Sequence, residues 1–340
     1  MIPAVIGAVL LTACQPVEPE ALSDEGSLSI SVSQSNQTKA LTTSFSHENQ
    51  LNKMRVLVYD SDGNLYKDES LASPFNAATI PNVKTGAYSV MALANTCAAL
   101  SDARTVTSLS GTAVTLDDCS TTASTGFVML DNRTGVNVSA GPNATSVNLS
   151  VTRFPARVRL VSVKNALPSS LGILMVKSVM LINGYSSWTL GTTGNPTGSV
   201  NPAGRKNGTG VIIGTADDAD YPNHSFRAVP TSEQSIASGT DPRSYSYCFY
   251  SFPNRVNADV TGAKQVGGKA RLVVCASFNN TTYYYPVTIE TLERNTCYDV
   301  ALIISGAGSP DPNVPVEKGA MSVSITVKDW ENGADYSETI

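Results

Sequence analysis

Leu28-Ser29-Ile30-Ser31-Val32 alternates apolar and hydroxyl side chains without a break. Successive residues of an extended chain point to opposite faces, so Leu28, Ile30 and Val32 share one face and the serines the other. That two-residue period belongs to a half-buried strand. It recurs over residues 87–93, 146–152 and 296–305, and again over 321–330, where Val323, Ile325 and Val327 alternate with Ser324 and Thr326; residues 54–59 and 269–278 read as mostly apolar strands. Turn signals separate the runs. Asp60-Ser61-Asp62-Gly63-Asn64 reads as a hairpin turn, and Asn183-Gly184 closes the apolar stretch 171–183. No segment combines helical amphipathicity with caps; one short helix is expected near 98–105. Many short strands with turns between them make an all-β chain built of sandwiches.

Composition narrows the function from the negative side. At 340 residues the chain has room for two domains. Charged residues are 15% and the formal net charge is −5, which leaves no basic face for nucleic acid. Ser, Thr, Asn, Gly and Val favour strands and turns over helices. The two histidines, His47 and His224, leave little for a metal site or a general base. There is no Gly-x-Ser-x-Gly elbow, no His-Glu-x-x-His and no phosphate-binding glycine loop. Residues 60–64 fail as a calcium loop, because the glycine is misplaced and no glutamate closes it. Asp217, Asp218 and Asp220 cluster in a polar stretch, 191–240, that reads as surface loop; a solvated turn outweighs a cation site there. Tyr283-Tyr284-Tyr285 could form a carbohydrate platform, but alternation puts at most two of the three on one face. The expectation is a protein that is not an enzyme and uses no cofactor or metal.

Residues 5–11 form an apolar run too short to span a bilayer, and Leu11-Thr12-Ala13-Cys14 ends it on small residues. This reads as a secretory signal, 1–13, whose ending resembles a lipobox with Cys14 as the acylated residue. No Lys or Arg precedes the run, a departure from the usual signal. The acidic, Pro-containing residues 15–26 read as a solvated tether. Of the five remaining cysteines, Cys97 and Cys119 are a candidate disulfide, which export permits. The alternative is that all five are small buried apolar residues.

One arrangement points to function. The strand 28–32 precedes a lone basic residue, Lys39, with Ala40 after it, in a polar stretch. A cut after Lys39 would remove the lipid and the strand together. The groove so exposed would carry unpaired backbone groups, a template for another strand. A tail from a neighbouring molecule could complete it. Burying three apolar side chains gives roughly 5–8 kcal/mol before ordering costs. About five backbone bonds would add roughly 0.5–1.5 kcal/mol each. The same residues equally suit a permanent edge strand followed by an ordinary surface lysine.

The chain also resembles the fimbrillin family of Bacteroidales, subunits of type V pili. The likeness runs through Ile30-Ser31-Val32 with Lys39-Ala40, Val56-Leu57-Val58-Tyr59, and Gly86-Ala87-Tyr88 to Ala94-Asn95. It continues in Arg153 with Ala156-Arg157-Val158, Ile182-Asn183-Gly184, Tyr250 with Phe252-Pro253-Asn254, and Leu292-Glu293-Arg294-Asn295 before Tyr298. Gly308-Ser309-Pro310-Asp311-Pro312 and Val327-Lys328-Asp329-Trp330 complete it. The resemblance implies two transthyretin-like β-sandwich domains in tandem. With the residue reading it divides the chain into the signal 1–13, a lipidated tether and removable strand 14–39 (Leu28, Ile30, Val32), an N-terminal sandwich 40–152 and a C-terminal sandwich with donor tail 153–340. It implies an outer-membrane lipoprotein precursor, cut at the surface by a trypsin-like protease between Lys39 and Ala40, that then joins a fimbrium by donor-strand exchange. Many members carry Arg at the scissile position, so an arginine-only protease would leave Lys39 uncut. The donor lies within 321–340, which includes Val323, Ile325, Val327 and Trp330. The implied partners are copies of itself, pilus anchor and tip subunits, that protease and a host or bacterial surface receptor. A non-polymerising anchor or tip, or a lipid-anchored glycan-binding adhesin, is the alternative.

Overall fold

The computed structural model describes residues 24–34, 51–95, 104–116, 126–185, 187–191, 225–228, 234–257, 268–312, 314–316, 319–329 and 336–339. The first half contributes strands β1 (Glu25–Gln34), β2 (Met54–Tyr59), β3 (Leu65–Ser70), β4 (Ala77–Lys84), β5 (Gly86–Ala94), β6 (Ala113–Thr115), β7 (Met129–Val138) and β8 (Thr145–Arg153), with helix α1 (Val106–Ser110) before β6. β3-β2-β5-β7 make one layer and β8-β1-β4 the other. β8 is the corner: it joins β7 only at Met129–Arg153 and Leu130–Thr152, while its remaining length pairs with β1. The turn at 60–64 forms as expected. The Asp60 carboxylate accepts the amides of Asp62 (3.0 Å) and Asn64 (2.8 Å), and Gly63 adopts φ +80. Most of the stretch where a short helix is expected, 98–105, lies outside the described residues; α1 follows it. Thr105 caps it in a reciprocal box with Ser108, a signal as short as the helix itself.

The second half holds β9 (Ala156–Asn165), β10 (Leu174–Ile182), β11 (Ser187–Thr189), β12 (Ser225–Ala228), β13 (Gln234–Ile236), β14 (Arg243–Ser251), β15 (Arg271–Phe278), β16 (Thr281–Thr288), β17 (Thr296–Ile304), β18 (Met321–Asp329) and β19 (Tyr336–Thr339). One layer runs β14-β9-β17-β18-β19; the other is β10-β15-β16 with β12 and β13 end to end along the other edge of β10. The stretch read as loop, 191–240, therefore holds two strands. They extend a sheet through backbone pairing with β10, which needs no apolar period, so alternation could not reveal them. The all-β sandwich architecture expected from the strand pattern is what the chain adopts.

Two cores form. The first runs from Leu28 to Phe154 and the second begins at Ala156. The first core also takes Tyr185, Trp188, Cys248, Tyr250 and Phe252 from beyond that point. Two arginines of β9 are enclosed. Arg157 is fully buried, and Arg159 is gripped by the Asp299 carboxylate directly across from it on β17 (2.9 and 2.6 Å), the two-pronged geometry that suits a guanidinium in a dry setting. Cys248, Cys275 and Cys297 are buried thiols, as small apolar residues would be. Cys14, Cys97 and Cys119 lie outside the described residues.

Candidate functional site

β1, which carries Leu28, Ile30 and Val32, is an interior strand and not an edge. β1 lies between β4, to which it is antiparallel, and β8, to which it is parallel. Seven residue pairs, from Leu28–Thr145 to Gln34–Val151, tie it to β8. Leu28, Ile30 and Val32 point into the first core at 0%, 1% and 5% exposure, while Ser29 and Ser31 face outward as the period requires. Further bonds fix both ends. The Thr85 amide donates to the Asp24 carbonyl (2.8 Å), the Val32 amide to the Asn76 carbonyl (2.8 Å), and the Ser33 hydroxyl to the Leu149 carbonyl (3.3 Å). Near its start β1 passes so close to the β7–β8 connection that a Cβ on Gly26 would lie 2.2 Å from the Ser139 oxygen. β4 has no strand partner other than β1 among the described residues. Without β1 the chain would present a ten-residue slot, walled by β4 and β8 and floored by apolar side chains.

The chain's other end forms a second strand of the same type. β18 pairs with β17 over nine residues, Thr296–Asp329 to Ile304–Met321, and carries β19 on its outer side over four. Val323 and Ile325 reach the second core at 8% and 9% exposure, and Val327 packs beside them half-buried. These residues sit on the rim of their core, where Leu28 and Ile30 sit at the centre of theirs. Trp330 lies outside the described residues, as do Lys39 and Ala40.

The competing sites fare as follows. Tyr285 is fully buried and its hydroxyl donates to the Gly306 carbonyl (2.9 Å); Tyr283 stacks on Phe278 with centroids 4.8 Å apart. Tyr284 packs on the opposite face against the cluster of Met180, Ile182, Val273 and Cys275. The tyrosine run is thus packing on both faces of β16, with no open aromatic platform. Asp217, Asp218, Asp220, His47 and His224 lie outside the described residues. Among the described residues no group of three or more His, Cys, Asp or Glu side chains could hold a metal ion. A cavity of about 380 Å³ opens between β13 and β14, lined by Gln234, Ser244, Tyr245 and Tyr247. Alternation gave no sign of it, because its lining comes from two separate strands and not from one.

Comparison with known proteins follows the same lines. A model of the family described as major fimbrial subunit protein (FimA) matches residues 26–164. That span begins at β1 and ends in β9. The major fimbrium subunit FimA type-2 of Porphyromonas gingivalis is similar at 23% identity, covering 96% of this chain and 95% of its own length. Among solved structures, a cell adhesion protein of Bacteroides eggerthii superposes with a TM-score of 0.65 at 18% identity, covering 92% of this chain and 98% of that one. A fimbrilin of Porphyromonas gingivalis superposes with a TM-score of 0.61 at 13% identity, covering 91% and 98%.

Proposed function

We propose that this chain, whose residues 26–164 match the model of the major fimbrial subunit family, is a fimbrial stalk subunit that polymerises by exchanging β1 for the C-terminal strand of a neighbour. The observation that carries the proposal is the interior position of β1, with Leu28, Ile30 and Val32 sealed between β4 and β8. A strand there is too well buried to leave by fraying. It leaves only when a cut frees it from the chain behind it, and Lys39-Ala40 is the proposed cut. The same cut separates the mature subunit from Cys14 and its outer-membrane lipid. The protease is trypsin-like and accepts lysine.

The replacement is drawn from 321–340. Val323-Ser324-Ile325-Thr326-Val327 repeats the pattern of Leu28-Ser29-Ile30-Ser31-Val32 residue for residue: apolar, Ser, Ile, hydroxyl, Val. A strand of that pattern fills the same three core positions and turns the same hydroxyls outward. In its own sheet β18 leaves Val323 and Ile325 at 8% and 9% exposure; the β1 slot offers 0% and 1% at its deepest positions. Moving from rim to centre, β18 exchanges one ladder for another and gains burial. The contact uses one end of each subunit and does not close, so it builds a linear filament. Anchor and tip subunits would bound that filament, and a surface receptor would be its target.

Treating the precursor with trypsin tests this. A product beginning at Ala40 and a ladder resistant to mild SDS are expected. Deleting 335–340 should leave a ladder if β18 donates, and deleting 321–340 should abolish it. Cleaved protein that stays monomeric would sink the stalk reading. Tyr285 is buried and the half-buried Tyr283 and Tyr284 face opposite sides of β16, which weighs against a shared aromatic platform for the glycan-binding alternative.

A further inference from the structure

Removing β1 raises a physical difficulty. β4 loses its only strand partner among the described residues, and β8 keeps only its two pairs with β7, Met129–Arg153 and Leu130–Thr152. A sandwich that has lost an interior strand and three core side chains would be expected to come apart before a donor arrives. The surviving end of β8 is where the second sandwich takes hold. The Arg294 guanidinium donates to the Thr152 carbonyl (3.3 Å) and hydroxyl, and stacks over the Phe154 ring at 4.6 Å. Asn295 accepts from the Arg153 amide and guanidinium (3.3 Å each) and donates its own amide to the Pro155 carbonyl (3.0 Å).

The opposite layer is backed in the same way. β6 pairs with β11, placing Trp188 opposite Val114, and the Gly191 amide donates to the Ser110 carbonyl (2.8 Å). Tyr250 meets Phe127 edge-on at 4.9 Å, while Tyr185 and Phe252, linked by a backbone bond of 2.9 Å, are buried in the same core. These second-half groups reach the end of α1, β6, Phe127 just before β7 and the end of β8. The bonds and ring contacts just named involve no residue of β1.

We infer that the second sandwich is a built-in clamp that keeps the first assembled, with its slot open, during the interval between loss of β1 and arrival of a donor. This rests on the exchange reading above and adds a second role for the C-terminal domain: it supplies a donor to one neighbour and guards its own acceptor for another. The clamp acts on β2, β5, β7 and the end of β8, and leaves β4 loose to admit the incoming strand.

The test uses the full uncut chain, so it is independent of processing and of filament growth. Ile30→Asp expels β1 by placing a charge in the core. Hydrogen exchange should then rise about a hundredfold in β1 and β4 but less than about tenfold in β2, β5 and β7. Adding Tyr250→Ala to Ile30→Asp should release β2, β5 and β7 by about a hundredfold, whereas Tyr250→Ala alone, with β1 in place, should not. Tyr250→Phe retains the ring and should behave as wild type. If Tyr250→Ala alone disrupts the fold, Arg294→Ala with Ile30→Asp takes its place, and should release 150–153. Free exchange of β2, β5 and β7 in Ile30→Asp alone overturns the clamp, as does full protection in both double variants. Failure of the cleaved wild type to form filaments would instead count against the stalk reading and leave the exchange result standing.

Discussion

Gly26 shows how a single residue can set the fit of a strand. Any side chain there meets the Ser139 oxygen at 2.2 Å and Val138 Cγ1 at 3.0 Å, so Gly26→Ala must push the start of β1 away from the β7–β8 connection. The expected cost is about 1–3 kcal/mol of precursor stability, read as a lower urea midpoint at unchanged slope. Tyrosines provide a second test at this scale. Burial pushes the Tyr59 and Tyr245 hydroxyls up to about 12 from an ordinary 10.0. Between those values the unfolded chain has released its protons and the folded chain still holds them. Stability is therefore unaffected by these groups below about pH 10 and falls as pH rises toward 12. Urea midpoints measured across that window should decline, and absorbance at high pH should show tyrosines that ionise only as the fold is lost. A midpoint that rises from pH 10 to 12 would contradict the assignment.

At the scale of elements, β1 and β18 are read as interchangeable. Leu28→Val with Ser31→Thr gives β1 the core sequence of β18. The loss is one buried methylene, roughly 1 kcal/mol. The doubly substituted precursor should stay folded, with a midpoint close to wild type; collapse of the first sandwich would show that β18 cannot fill that slot. Alternation in residues 28–32 and 323–327 marks both as strands and shows which side chains face inward. It could not say that β1 is an interior strand parallel to β8, because strand order depends on partners more than a hundred residues away. The arginines of β9 show a related limit. Alternation puts Arg157 and Arg159 on one face, and only the pairing of Arg159 with Asp299 across β17 shows that Arg159 is enclosed. Trp188 and Tyr250 gave no signal at all, since a lone aromatic in an alternating strand does not announce that it packs in the other half of the chain.

At the scale of the molecule, the shared core predicts how the chain melts. Because five side chains of the second half complete the first core, and β6–β11 spans the two, both halves should unfold in one transition. Calorimetry of the precursor should give a single peak whose van't Hoff and calorimetric enthalpies agree; two separate peaks would mean that the halves behave as independent beads. The flanks of the first sandwich have their own consequence. Its outermost strand on one side, β3, carries Lys67, Asp68 and Glu69, with Asp68 held by Arg55, and on the other side β4 carries Pro81, which has no amide hydrogen to offer. Charge and proline are what discourage flat strands from zipping to strangers. Fibres built from such units have sides that reject one another, so they grow long before they thicken, and a bacterium coated with them would bear separate hairs and not a felted mat.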